Sequence, residues 1–141
     1  MKVLFVDNAN VARSQVAEAL FNRLSGAESA SAGTRADDAV ARTKPSSRML
    51  KDSVSSGIPY MNDQGIDISG KLRKQLTEEM VREADKVIFI ADKDTWSDYL
   101  RNSEKVVVLD PADTLGLEPD SARPIFDEIK RRVQELVREI G

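Results

Sequence analysis

Apolar runs alternate along this chain with stretches whose apolar positions fall at helical spacing. Lys2 to Val6 is nearly continuously apolar, as a strand buried on both faces requires. From Ser14 to Ser25 the residues Ala17, Leu20, Phe21 and Leu24 recur at helical spacing, and Gly26 marks the stop. A short weak strand is expected at Ser29 to Ala32, closed by Gly33-Thr34. Residues 35 to 64 are rich in Ser, Asp and Gly and interrupted by Pro45 and Pro59; they read as a long surface excursion with a helix from about Ser46 to Ser55. Thr77-Glu78-Glu79 offers a capping hydroxyl and an acidic first turn to a helix running to about Ala84. A strong buried strand follows at Lys86 to Ala91 and a third strong strand at Lys105 to Leu109, with a helix at Lys93 to Arg101 between them. The last helix starts near Ser121 to Pro124. Its stripe is Ile125, Ile129, Val133, Leu136 and Ile140, with Arg131, Arg132 and Arg138 mostly off it on a solvated face.

Strands alternating with helices imply right-handed βαβ units and a parallel sheet. The expected fold is α/β: a three-layer, doubly wound sheet of four parallel strands with helices on both faces, in one domain over residues 1–141. No repeat, linker or low-complexity tract interrupts it.

Composition narrows the chemistry more than it narrows the fold. The chain has 141 residues, 40% hydrophobic and 32% charged, enough for a real core. A net charge of −3 disfavours a nucleic-acid partner. No run approaches the roughly 18 apolar residues of a membrane span. The apolar run after Lys2 is too short for a signal peptide, so a cytoplasmic location and no membrane partner are expected. The absence of cysteine excludes disulfides, thiolate catalysis and Cys-ligated zinc, and the absence of histidine excludes an imidazole base. Carboxylates, lysines and two tyrosines remain as acid–base groups. No cofactor and no metal motif is expected.

Asp7 to Ser14 then stands out. It follows a buried strand and leads into a helix, the place where open α/β sheets bind ligands. The free N–H groups of a helix start favour an anion, and Arg13 adds a planar fork matched to phosphate or arsenate oxygens. Ser14 is placed to cap the helix or bond the first loop residue, and Asn10 to hold a left-handed turn. The loop residues Asn8, Ala9, Asn10, Val11, Ala12, Arg13 and Ser14 are the candidate anion-binding set. The loop alone equally describes an ordinary βα turn with Arg13 in water.

The segment resembles the active-site loop of low-molecular-weight protein tyrosine phosphatases and the related thioredoxin-coupled arsenate reductases, in which a Cys, five residues and Arg-Ser follow the first strand. Here Asp7, five residues and Arg13-Ser14 keep the spacing, and Asn10 matches the loop asparagine. Arg13-Ser14-Gln15 with Ala17-Glu18-Ala19 looks closer to the arsenate-reductase branch. Ser31-Ala32-Gly33-Thr34 is similar to the segment after the second strand. Gly65 to Ser69, with Arg73, Gln75, Leu76 and Thr77, resembles the stretch before the middle helix. The resemblance implies Arg13 as oxyanion clamp, Asn10 and Ser14 as loop organisers, and Asp110 of Asp110-Pro111 as general acid.

The chain departs from that pattern at the nucleophile. Asp7 takes the cysteine's place, Ala12 fills the position before the arginine, and Ala112 and Asp113 follow Asp110-Pro111 where the phosphatases carry an aromatic pair. A carboxylate in an anion cradle repels the anion and pairs with Arg13; two charges at about 4 Å interact by roughly 4 kcal/mol at an effective dielectric near 20. A formed but self-neutralised loop is therefore expected. One reading is a family fold without its nucleophile, natural or an engineered Cys→Asp variant, which binds an oxyanion weakly, a phosphorylated protein, or a partner docked on the old active-site face. Another is a phosphate-monoester hydrolase with Asp7 as nucleophile or water-orienting base; aspartyl nucleophiles usually work with Mg²⁺, and Asp110 and Asp113 would help to hold it. The third is an unrelated function with a purely structural loop. Tyr60, Met61, Trp96 and Tyr99 read as packing residues, and Lys71-Leu72-Arg73-Lys74 as solvated surface.

Overall fold

The computed structural model describes residues 2–25, 28–43, 47–53, 55–90, 100, 103–108 and 118–140. Strand β1 (Lys2–Asp7) leads through a loop into α1 (Arg13–Leu24). Strand β2 (Glu28–Gly33) and helix α2 (Ala36–Thr43) follow. A 3₁₀ turn at Leu50–Asp52 precedes α3 (Gly57–Asp63) and α4 (Glu78–Glu83). Strands β3 (Lys86–Phe89) and β4 (Val106–Val108) and the long helix α5 (Pro119–Ile140) complete the order.

The four strands form one parallel sheet in the order β2-β1-β3-β4. The chain winds outward from β1 in both directions, so the carboxyl end of β1 lies at the point where strand order reverses, the natural ligand crevice of such sheets. Alternation along β1 splits the core. Val3 and Phe5 pack with Val16, Leu20 and Phe21 of α1, Met61 of α3, and Phe126, Ile129 and Val133 of α5. Leu4 and Val6 face the other way, toward Leu76, Val81 of α4, Val87 and Phe89. Helices therefore cover both faces of the sheet, as the alternating pattern predicts. No helix among the described residues is long and apolar enough to cross a membrane.

Several expectations change. Residues 35 to 64 are not a plain excursion, because α2 and α3 lie within them. Where a helix is expected from 46 to 55, the described residues 47–53 hold only the 3₁₀ turn: the backbone N–H groups of Leu50 and Lys51 donate to Lys71 O and Ser69 O, both at 2.9 Å, so this stretch pairs across the chain instead. Tyr60 and Met61 are buried, as packing residues should be, but on α3. Phe126 is fully buried on α5, its ring 5.1 Å from that of Tyr60, and Ile125 packs partly buried against the same cluster. Helix α5 begins at Pro119, where a missing N–H costs nothing, and buried Ala122 anchors the added turn. Strand β1 extends one residue further than the apolar run, to Asp7. The helix expected at Lys93 to Arg101, with Trp96 and Tyr99, lies outside the described residues apart from buried Leu100.

Candidate functional site

Asp7 is the last residue of β1, paired on one side with Gly33 of β2. Its side chain turns inward and is 2% exposed. Helix α1 begins with no side-chain cap from Ala12, so its first N–H groups need acceptors from elsewhere. Asp7 supplies one from seven residues upstream, and also accepts a loop N–H. Oδ2 accepts the Ser14 backbone N–H at 2.9 Å, and Oδ1 accepts that of Asn10 at 2.7 Å. The Ser14 hydroxyl hydrogen-bonds the same carboxylate. A negative group at a helix N-terminus is also where the helix dipole favours it.

Asn10 shapes the turn. It is the only non-glycine residue with positive φ among the described residues, at 53°, a conformation asparagine tolerates better than most. Its carboxamide is fully used. Nδ2 donates to Ser14 Oγ at 2.8 Å and Ser31 Oγ at 3.0 Å, while Oδ1 accepts from Gln15 Nε2 at 3.0 Å and the Lys74 backbone N–H at 2.8 Å. Ser31 in turn donates to Glu18 Oε2 at 3.2 Å. One asparagine thus links two buried carboxylates, Asp7 through Ser14 and Glu18 through Ser31.

The loop is held from behind by residues the sequence marks only as segments. Arg73 is 3% exposed, and its Nε and Nη2 donate to Ala9 O at 3.3 and 3.2 Å. Thr34 N–H donates to Asp7 O at 2.8 Å and Arg35 N–H to Asn8 O at 2.7 Å. Ser55 Oγ donates to Val11 O at 2.5 Å. A Cβ at Gly33 would lie 2.6 Å from Asn8 O, 2.8 Å from Asn10 N and 2.9 Å from Ala9 C. All three are backbone atoms, so only glycine lets the loop lie this close to β2. A glycine ending a strand directly beside a predicted loop was the available signal for this contact. Arg73 had none, because a basic run reads as solvated.

Electrostatics concentrate on Asp7. Burial pushes its carboxyl above the ordinary carboxylate range, while the charge of Arg13, the backbone N–H groups of Ser14 and Asn10 and the Ser14 hydroxyl pull it down. Burial pulls the Arg73 guanidinium down from its ordinary value; Asp7 raises it and Arg48 lowers it further. Arg13, at the head of α1, is 6% exposed. Two guanidiniums, Arg13 and Arg73, thus act on the Asp7 carboxylate. Every named contact to the Asp7 carboxylate is a donor, so a negative group from within the chain satisfies this turn.

The structure thus brings Asp7, Asn10, Arg13 and Ser14 into one site, with Asn8, Ala9, Val11 and Ala12 forming the turn between them. Asp110 and Asp113 lie outside the described residues. Among the described residues, no three of His, Cys, Asp and Glu cluster closely enough to hold a metal ion.

The family model for low molecular weight phosphotyrosine protein phosphatase matches residues 2–141. No curated protein sequence matches the chain. Among solved structures, a low molecular weight protein tyrosine phosphatase from T. tengcongensis is 26% identical with a TM-score of 0.78, covering 99% of both chains. A variant of the YwlE arginine phosphatase with a phosphorylated active site serine is 22% identical with a TM-score of 0.80, covering 99% of this chain and 95% of that one. A thioredoxin-dependent arsenate reductase from Corynebacterium glutamicum is 27% identical with a TM-score of 0.70, covering 99% of this chain and 61% of that one.

Proposed function

The chain belongs to the low molecular weight phosphotyrosine protein phosphatase family, and on that premise we propose that it works by binding rather than by turnover. In this reading the loop from Asp7 to Ser14 is an anion cradle, with Arg13 as its clamp and Asn10 and Ser14 as its organisers. Asp7 stands where the family's thiolate would. The ligand is a phosphate-like oxyanion, held weakly, or a phosphorylated protein docked on this face. Asp110 keeps the sequence position of the family's general acid without a covalent intermediate to serve.

One observation carries this reading: both carboxylate oxygens of Asp7 already accept loop N–H groups, and the side chain is 2% exposed. A nucleophile must present a free lone pair in line with phosphorus. Asp7 would have to abandon the helix start to do so. The competing reading, Asp7 as an acyl-phosphate-forming nucleophile or water-orienting base, draws support from the YwlE relative, whose active site serine carries the phosphoryl group on oxygen.

Hydrolysis of an aryl phosphate, with and without Mg²⁺, separates the two. The unmodified protein is expected to be inert under both conditions. Asp7→Cys is expected to gain turnover, and the further change Arg13→Ala to remove it. Mg²⁺-dependent turnover by the unmodified protein, abolished in Asp7→Asn, would overturn the binding reading. If Asp7→Cys stays inert, the loop is structural and the cradle assignment falls.

A further inference from the structure

Behind the loop, two segments distant in sequence pair as a short antiparallel ribbon. Arg73 N–H donates to Arg48 O at 2.8 Å and Leu50 N–H to Lys71 O at 2.9 Å, with Met49 bridged to Leu72. The eight residues 48–51 and 71–74 hold five cations, Arg48, Lys51, Lys71, Arg73 and Lys74, and no acid, in a chain of net charge −3. Buried Arg73 is committed to the loop, and Arg48 pairs with Asp37. Lys51 and Lys71 are exposed, and no carboxylate among the described residues pairs with either. Half-buried Lys74 feels both the charge of Glu18 and the repulsion of Lys71. Between these cations the bridged pair Met49 and Leu72 lies open, at 39% and 51% exposure.

Like charges gathered on one ribbon of an acidic protein cost stability unless a counter-charge visits them. An apolar pair framed by cations matches an extended acidic segment that carries one large apolar side chain. Electrostatics would steer the approach and the apolar contact would set the register.

We propose that this ribbon is a docking surface for an acidic, extended segment of a partner protein. The ribbon's outward face acts independently of the cradle, so its occupant need not be phosphorylated.

The test is fluorescence anisotropy with a labelled glutamate-rich peptide bearing a central phenylalanine, at about 50 mM NaCl, where an exposed pair still feels its partner. The unmodified protein is expected to bind it. The double variant Lys51→Gln with Lys71→Gln is expected to weaken binding by about tenfold or more. Arg131→Gln with Arg132→Gln, on the exposed face of α5 and matched in charge, is expected to leave binding unchanged. Met49→Ser with Leu72→Ser is expected to lower affinity severalfold while keeping the salt dependence. Failure of the unmodified protein to bind, equal loss in the α5 variant, or preference for phosphatidylserine vesicles over the peptide would each overturn the proposal.

Discussion

Asp7 caps the helix that Ser14 helps to begin: Oδ2 of the one accepts the backbone N–H of the other at 2.9 Å, across the whole turn between β1 and α1. The same contact stabilises the loop and fills the space an external anion would need. Stability and ligand affinity are therefore coupled with opposite sign at this residue, and the variants below separate them.

Asp7→Ala should bind phosphate more tightly than the unmodified protein. Removing a charge about 4 Å from the ligand relieves repulsion of roughly 4 kcal/mol at an effective dielectric near 20, reduced by solvent screening. The charges of Arg13 and Arg73 then act without the Asp7 counter-charge. A gain of about tenfold or more in a calorimetric phosphate titration is expected. Equal or weaker binding would sink the self-neutralised cradle.

The titration of Asp7 gives a second handle. Its folded-state carboxyl lies above the ordinary value of 3.8. The folded state then binds the proton more tightly than the unfolded chain, so stability falls as pH rises through the folded value and is regained as pH falls toward 3.8. Asp7→Asn cannot titrate there. Between neutral pH and about pH 4, the Tm of the unmodified protein should therefore rise relative to that of Asp7→Asn. The difference between the two removes the contribution of other carboxylates such as Glu128, which Arg131 and Arg132 hold below its ordinary value. A difference that runs the other way would show that Arg13 and the loop N–H groups outweigh burial, and a flat one that they cancel it.

Much of this was legible in the sequence, for a physical reason. Val3 to Val6 and Val87 to Phe89 lie in strands buried on both faces, so nearly every residue must be apolar and the pattern is loud. Thr77 caps α4 as its spacing suggests, accepting the Met80 N–H at 3.2 Å. The spacing from Asp7 to Arg13-Ser14 likewise survives the loss of the thiol. Residues 35 to 64 were illegible because their signals are compatible with two structures. Pro59 sits in the first turn of α3, where it breaks nothing. The 47–51 stretch has its partner in 69–73, which no local window contains. Arg73 was misread because its burial depends on a single distant acceptor, Ala9 O.

Gly33→Ala should damage the loop without touching any functional side chain. The added methyl meets Asn8, Asn10 and Ala9 backbone within 3 Å, and rigid backbone cannot yield as a side chain tip would. Overpacking of this kind costs about 1–3 kcal/mol. A chemical denaturation curve should show that loss. In the Asp7→Cys background, aryl phosphatase activity should fall by more than the folded fraction does, because the loop has moved. A variant as stable as the parent would mean that β2 and the loop are not in this contact.

Asn10 allows backbone and side chain to be weighed apart. Asn10→Gly keeps the left-handed turn at φ 53° but deletes a carboxamide making four hydrogen bonds. Asn10→Ala deletes the same group and also forces a Cβ into that turn, at a further cost of about 1–2 kcal/mol. Each buried partner left unsatisfied costs about 1–3 kcal/mol. Ser14, Ser31, Gln15 and the Lys74 N–H all lose one, so both variants should be severely destabilised, with alanine the worse. The order matters more than the size. If glycine and alanine unfold at the same denaturant concentration, the turn has relaxed out of the left-handed region once the carboxamide is gone. The network would then be what holds Asn10 in place, and the conformation would be its consequence rather than a separate demand on the sequence. If glycine is clearly the better, the loop requires positive φ on its own account, and asparagine is there because it alone meets both needs at little cost.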